Sequence, residues 1–109
     1  MAEVERCWFR RTLQSDHDAP YIWADATIDD SEMVPLDHAD WEADVEAWQD
    51  ECEKSREAAA TRQLDDSGVT SDGARCSLRW IYTHMIEEYA RHNGHADLIR
   101  ELLDGAVGH

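Results

Sequence analysis

An all-α fold is expected from three features of this 109-residue sequence. Residues 78–103 are compatible with helix throughout. A second stretch carries Trp41, Val45, Trp48 and Cys52 at spacings of 4, 3 and 4, which is the period of one helix face. Nowhere does a Val/Ile-rich run alternate with polar residues, and no internal repeat is visible, so no sheet is expected.

The elements follow in chain order. Residues 2–13 hold good helix formers with Val4, Trp8 and, less cleanly, Cys7 on one side. That helix is too short to stand alone. Residues 14–35 carry Ser, Asp and both prolines without a sustained period and read as a long irregular connection. A second helix is expected from Asp37, as N-cap, to about residue 63, with acidic first turns at Asp40, Glu42 and Asp44 matching the positive helix end. Residues 64–75, with Asp65-Asp66-Ser67-Gly68 and Ser71-Asp72-Gly73, form a loop. Ser77 caps the third helix and Gly105 stops it, giving a rod roughly 40 Å long.

Composition bounds the function. Five tryptophans and 42% hydrophobic residues argue for a folded domain, while a formal net charge of -15 weakens the compact state through self-repulsion, so marginal stability is expected unless the chain associates. Without a basic cluster, binding to nucleic acid or to anionic membranes is not expected. No apolar run reaches transmembrane length, and the charged N-terminus is not a secretory signal. Cys7, Cys52 and Cys76 contain no CxxC pair and read as reduced thiols of a cytoplasmic protein, with Cys52 as plain core.

Chemistry is concentrated on the third helix. At about 100° per residue with His84 at zero, Glu88 falls near 40°, His92 near 80° and His95 near 20°. The apolar residues Ile81, Met85, Tyr89, Ala96, Ile99, Leu102 and Leu103 occupy an overlapping arc, roughly 0–140°. Glu87, Asp97 and Glu101 lie opposite, so the polar stripe is expected to point inward. Burying a carboxylate among imidazoles is costly unless they are paired or bind a metal. Glu88 and His92, one turn apart, can converge on one ion, and their N/O donor set suits Zn²⁺, Ni²⁺ or Fe²⁺. His84 and His95 are candidates for a further ligand, a ligand-orienting role or proton transfer. A lone Glu-x3-His pair is ordinarily a surface pair; two more histidines in register on an apolar face make this one a candidate site. His17, His38 and His109 read as solvated bystanders.

The run Ser77-Leu78-Arg79-Trp80-Ile81-Tyr82-Thr83-His84-Met85-Ile86-Glu87-Glu88-Tyr89-Ala90-Arg91-His92-Asn93-Gly94-His95-Ala96-Asp97-Leu98-Ile99-Arg100-Glu101 closely resembles the last helix of DinB-like proteins, in an uncharacterised actinobacterial branch. Val4-Glu5-Arg6-Cys7-Trp8-Phe9-Arg10 resembles the end of that family's second helix. The resemblance extends over essentially the whole chain. It implies an up-down-down-up four-helix bundle with a divalent metal, Zn foremost with Ni and Fe as alternatives, and kinship with enzymes that use mycothiol or bacillithiol as a thiol cosubstrate. It assigns the metal-ligand pair of the last helix to Glu88 and His92. The family's second-helix histidine aligns upstream of Met1, so the chain reads as a single partial domain, residues 1–109, that lacks the first helix of the bundle. A groove left there would favour a homodimer or a partner standing in for the missing helix. The metal site would then be incomplete and weakly binding unless His84, His95 or another chain supplies the third ligand. The alternative is a non-enzymatic helical interaction module.

Overall fold

A computed structural model of the protein describes residues 1–23 and 39–108. Helix α1, Ala2–Glu5, runs without a break into a π-helical segment, Arg6–Leu13. Helix α2 covers Trp41–Ala60, strands β1 and β2 are Ser67–Val69 and Arg75–Ser77, and helix α3 is Leu78–Asp104. The expectation of an all-α chain is therefore corrected. The described residues form three helical elements and a small antiparallel hairpin, registered Ser67 with Ser77, Gly68 with Cys76 and Val69 with Arg75. Strands of three residues are too short to show the alternation that announces a strand in sequence.

Helix α3 follows its punctuation. Ser77 Oγ accepts from the Trp80 amide at 3.1 Å, and Gly105 takes the left-handed conformation (φ 74°) that ends a helix without a Cβ penalty. Backbone bonds from Leu78 N to Asp66 O and from Arg79 N to Leu64 O, both 2.8 Å, tie its start to the preceding loop. Helix α2 starts later than expected: Asp40 is the N-cap, accepting from Ala43 N at 3.1 Å, and the helix ends at Ala60 rather than near residue 63. Asp37 and His38 lie outside the described residues, as does His109. Trp41, expected on the core stripe, is 79% exposed.

The core gathers Phe9 and Leu13 from the π segment, Ala58 and Ala59 from α2, and Leu78, Ile81 and Met85 from α3. Val4 and Trp8 pack against it from the rim, while Cys7 is exposed. Hydrogen bonding at the π segment's end runs from Gln14 N back to Phe9 O at 3.2 Å, five residues rather than four. That wider turn brings Phe9, Thr12 and Leu13 inward together. The hairpin seats on this end: a Cβ on Gly68 would lie 2.0 Å from Thr12 O, so only glycine allows the contact.

Helix α3 runs antiparallel to α1, since Trp8 meets Trp80 and His84 while Glu5 meets Tyr89. It also opposes α2, whose Trp48 reaches Tyr89 while Ala58 and Ala59 share the core with Leu78 and Ile81. Among the described residues, cover is confined to the first half of α3. Ile99, Leu102 and Leu103, expected to face inward, are exposed. Periodicity identified the face correctly, but nothing among the described residues lies against its distal end.

Candidate functional site

The site begins with the spacing of α3. Residues four apart on a helix stack one above the next, and His84, Glu88 and His92 form such a column on the side facing α1. His84 Nε2 lies 3.1 Å from Glu88 Oε1, and His92 Nε2 lies 3.6 Å from Glu88 Oε2, so each carboxylate oxygen faces one imidazole. The column is half-buried; the Glu88 side chain is 21% exposed. His95 is exposed and meets His92 ring-edge to ring at 5.6 Å between centroids. The inward direction of the stripe thus holds for His84, Glu88 and His92 and fails for His95, which lies beyond the cover of α1.

His84 is held by aromatic packing. Its ring stacks on Trp80 at 4.8 Å with an interplanar angle of 11°, and the edge of Trp8 approaches at 4.6 Å. His84 Nδ1 also lies 3.4 Å from Glu87 Oε2. Both ring nitrogens thus face carboxylates, while two tryptophans pack against the imidazole that meets Glu88. At the other end of the column, burial first and the Met1 ammonium second push the His92 pKa down from its usual 6.5. A neutral imidazole is the form that ligates a metal.

Beneath the column lies a polar cluster with no counterpart in the sequence reading. Tyr89 Oη donates to the buried Glu5 at 2.6 Å and accepts from Trp48 Nε1 at 2.9 Å. Ser55 Oγ donates to the other Glu5 oxygen at 2.6 Å, and Cys52 Sγ lies 3.6 Å from Tyr89 Oη. Burial, opposed by the Tyr89 contact, pushes the Cys52 thiol pKa up and disfavours the thiolate. The signal for the cluster is spread over three elements, and no local spacing could have revealed it.

A sequence model of one family, Mycothiol-S-transferase, matches residues 1–105, nearly the whole chain. The chain belongs to the mycothiol-S-transferase family. No curated protein and no solved structure matches it. The match bears out the DinB-like, mycothiol-related resemblance expected over essentially the whole chain.

For a mycothiol-S-transferase family member, the implied divalent metal can be tested against the donors present. Two ligands about 2.0–2.1 Å from a tetrahedral ion stand roughly 3.3 Å apart. Glu88 Oε2 and His92 Nε2, at 3.6 Å, are close to that separation. Among the described residues, however, no three His, Cys, Asp or Glu side chains come together as a metal-holding group. The pair fits one half of a site. His17, read as a bystander, has Nε2 2.8 Å from Val69 O and helps to hold the hairpin.

Proposed function

We propose that the chain is a DinB-like, divalent-metal-binding relative of the thiol-dependent transferases and isomerases, with Glu88 and His92 as its metal ligands. The observation that carries this reading is the half-buried Glu88 carboxylate, aligned between His84 and His92 on the covered face of α3. Membership of the mycothiol-S-transferase family supports it. Zn²⁺ is the favoured ion, with Ni²⁺ and Fe²⁺ as alternatives, and a low-molecular-weight thiol such as mycothiol or bacillithiol is the cosubstrate. Bound there, the ion would supply Lewis acidity and lower the pKa of a thiol.

The chain's own residues do the positioning. His84, clamped by Trp80 and Trp8, occupies Glu88 Oε1 and leaves Oε2 directed at the His92 side. His95, exposed one turn further along, is the group free to exchange a proton with solvent. A third ligand is to come from His84, His95 or another chain.

Elemental analysis of the purified chain tests this reading. About one Zn²⁺ or Ni²⁺ per chain is expected, lost in Glu88→Ala and in His92→Ala with the helical circular dichroism retained. Thiol-transfer assays with mycothiol or bacillithiol would follow. Unchanged metal content in both variants, or no metal in the folded parent, removes the reading.

A second reading, a non-enzymatic helical module, is favoured by one feature: Leu98, Ile99, Leu102 and Leu103 stand exposed on α3. In that case the acidic surface would select basic partners elsewhere on the molecule.

A further inference from the structure

We infer that the distal half of α3 is a self-association surface, on which the same segment of a second copy packs antiparallel about Leu98 and Ile99. The inference deepens the second reading without requiring that the metal reading fail.

It starts from where cover ends. The packing of the N-terminal helical segment on α3 proceeds from Trp8 against His84 to Glu5 against Tyr89, with Met1 against the core at its end. Beyond that point, among the described residues, nothing covers the face of α3 between residues 93 and 104, a length of about 18 Å. Leu98, Ile99, Leu102 and Leu103 crowd it, and Leu102 is 87% exposed. The tail after Gly105 does not cover them. It turns back on the opposite side, where a Cβ on Gly108 would meet Asp97 Oδ1 at 2.5 Å.

Three properties of this strip fit a copy of itself. The first is position. The midpoint of residues 93–104 falls between Leu98 and Ile99, so an identical helix laid antiparallel fills the same free length without reaching α1. In that two-fold register Leu98 faces Ile99 of the second copy, and Leu102 faces its His95. An isologous contact requires this self-matching. The second is charge. In a chain of net charge -15, two copies repel, yet this face carries no carboxylate. Asp97, Glu101 and Asp104 point away, near 200–260° against a strip centred near 30°. The Arg100 guanidinium turns to Asp104, with Nε and Oδ2 3.5 Å apart. The third is area. Exposed Leu and Ile side chains contribute on the order of 100 Å² each, so four give about 400 Å². A small specific interface buries about 600 Å² per partner, of which roughly 350 Å² is apolar.

The test is sedimentation equilibrium of the full chain at physiological salt, from low micromolar to near-millimolar concentration. The mass is expected to rise from one chain to two. Ile99→Asp places a carboxylate at the centre of the interface and should weaken association by roughly a hundredfold or more, with helical circular dichroism unchanged. Ile86→Asp, at a more exposed position on another face of α3, should leave association as it was. Leu102→Glu should also weaken association, and adding His95→Arg should restore it, because the register places the two side chains across the two-fold. Should Ile99→Asp unfold, Leu102→Glu and its rescue decide the matter alone. A chain monomeric at all concentrations overturns the inference, as does association insensitive to Ile99→Asp and Leu102→Glu or equally sensitive to Ile86→Asp. Failure of the rescue overturns the antiparallel register. Metal content, measured in Glu88→Ala and His92→Ala with residues 95, 99 and 102 unchanged, tests the Glu88–His92 pair, so failure of that reading is distinguishable from failure of this one.

Discussion

Tyr89 Oη donates a 2.6 Å hydrogen bond to Glu5 Oε1, joining the middle of α3 to the last turn of α1. The same oxygen of Tyr89 accepts from Trp48 Nε1 of α2, so one hydroxyl group connects all three helices. Glu5 is buried, and its other oxygen is satisfied by Ser55 Oγ at 2.6 Å. Two of these donors are neutral hydroxyl groups, and each matters because a buried carboxylate left without a partner retains its full desolvation cost.

Replacing Tyr89 by Phe should therefore cost about 2–3 kcal/mol. The substitution keeps the ring in its packing but leaves Glu5 Oε1 without its donor and Trp48 Nε1 without its acceptor. Ser55→Ala removes one donor only and should cost roughly 1–2 kcal/mol. Urea unfolding followed by tryptophan fluorescence checks both. A Tyr89→Phe cost no larger than that of an exposed substitution would show the cluster to be energetically idle.

Alkaline pH should destabilise the chain through the same tyrosine. Burial, and then its bond to Glu5, raise the Tyr89 pKa above the ordinary 10.0. A group whose folded pKa is raised contributes stability that is complete below the unfolded value and lost as pH climbs through the folded one. The urea midpoint should fall from about pH 10 upward, and that fall should be shallower in Tyr89→Phe. Cys52, raised from 9.0 by burial, adds a smaller decline that begins lower and persists in the variant.

Two glycines should respond in opposite directions to alanine. At Gly68 the new Cβ would lie 2.0 Å from Thr12 O and 2.5 Å from Leu13 Cα, both backbone atoms, so the hairpin must lift from the π segment. A loss of about 3 kcal/mol or more is expected. At Gly94, inside α3, the Cβ meets nothing within 4 Å. There Ala should stabilise by about 0.8–1.0 kcal/mol through helix propensity. Thermal unfolding of the two variants beside the parent reads both signs in one experiment.

These contrasts follow the line between what local sequence encodes and what it does not. Helix α3 was legible because Ser77 and Gly105 punctuate it and its apolar period is sustained. The His84–Glu88–His92 column was legible because it lies within one helix, where spacing alone sets proximity. The clamp of Trp8 and Trp80 on His84, and the bond from Tyr89 to Glu5, join residues far apart in sequence, and no period predicts such meetings. The hairpin escaped notice because three-residue strands carry no alternation. The π turns of Arg6–Leu13 escaped because helical propensity does not distinguish bonding to the fourth residue from bonding to the fifth. Exposure of Leu102 illustrates a different gap: a period shows which face is apolar, not whether anything covers it.

The ion pair between Arg6 and Glu51 should behave as a buried unit, unlike the neighbouring contact with Lys54. Glu51 is buried and receives Arg6 Nη2 at 2.7 Å and Lys54 Nζ at 2.8 Å. Burial alone would raise the Glu51 pKa, but hydrogen bonds from Arg6 and Lys54 outweigh it and hold the carboxyl below its usual 4.5. A lowered pKa contributes stability that is present above pH 4.5 and lost as pH falls below it. Arg6→Met should remove about 3 kcal/mol by leaving a buried carboxylate with one exposed partner, and should move acid unfolding to higher pH. Lys54, half in solvent, should cost less than about 1 kcal/mol on truncation to Ala. Arg6→Met with Glu51→Met replaces both charges by apolar side chains of similar length. Most of the single-variant loss should return in the double variant, because what either single change exposes is the other partner's unmet desolvation cost. Urea midpoints for the two singles and the double form a closed cycle, and a double variant as unstable as Arg6→Met alone would show that the pair supplies more than mutual compensation.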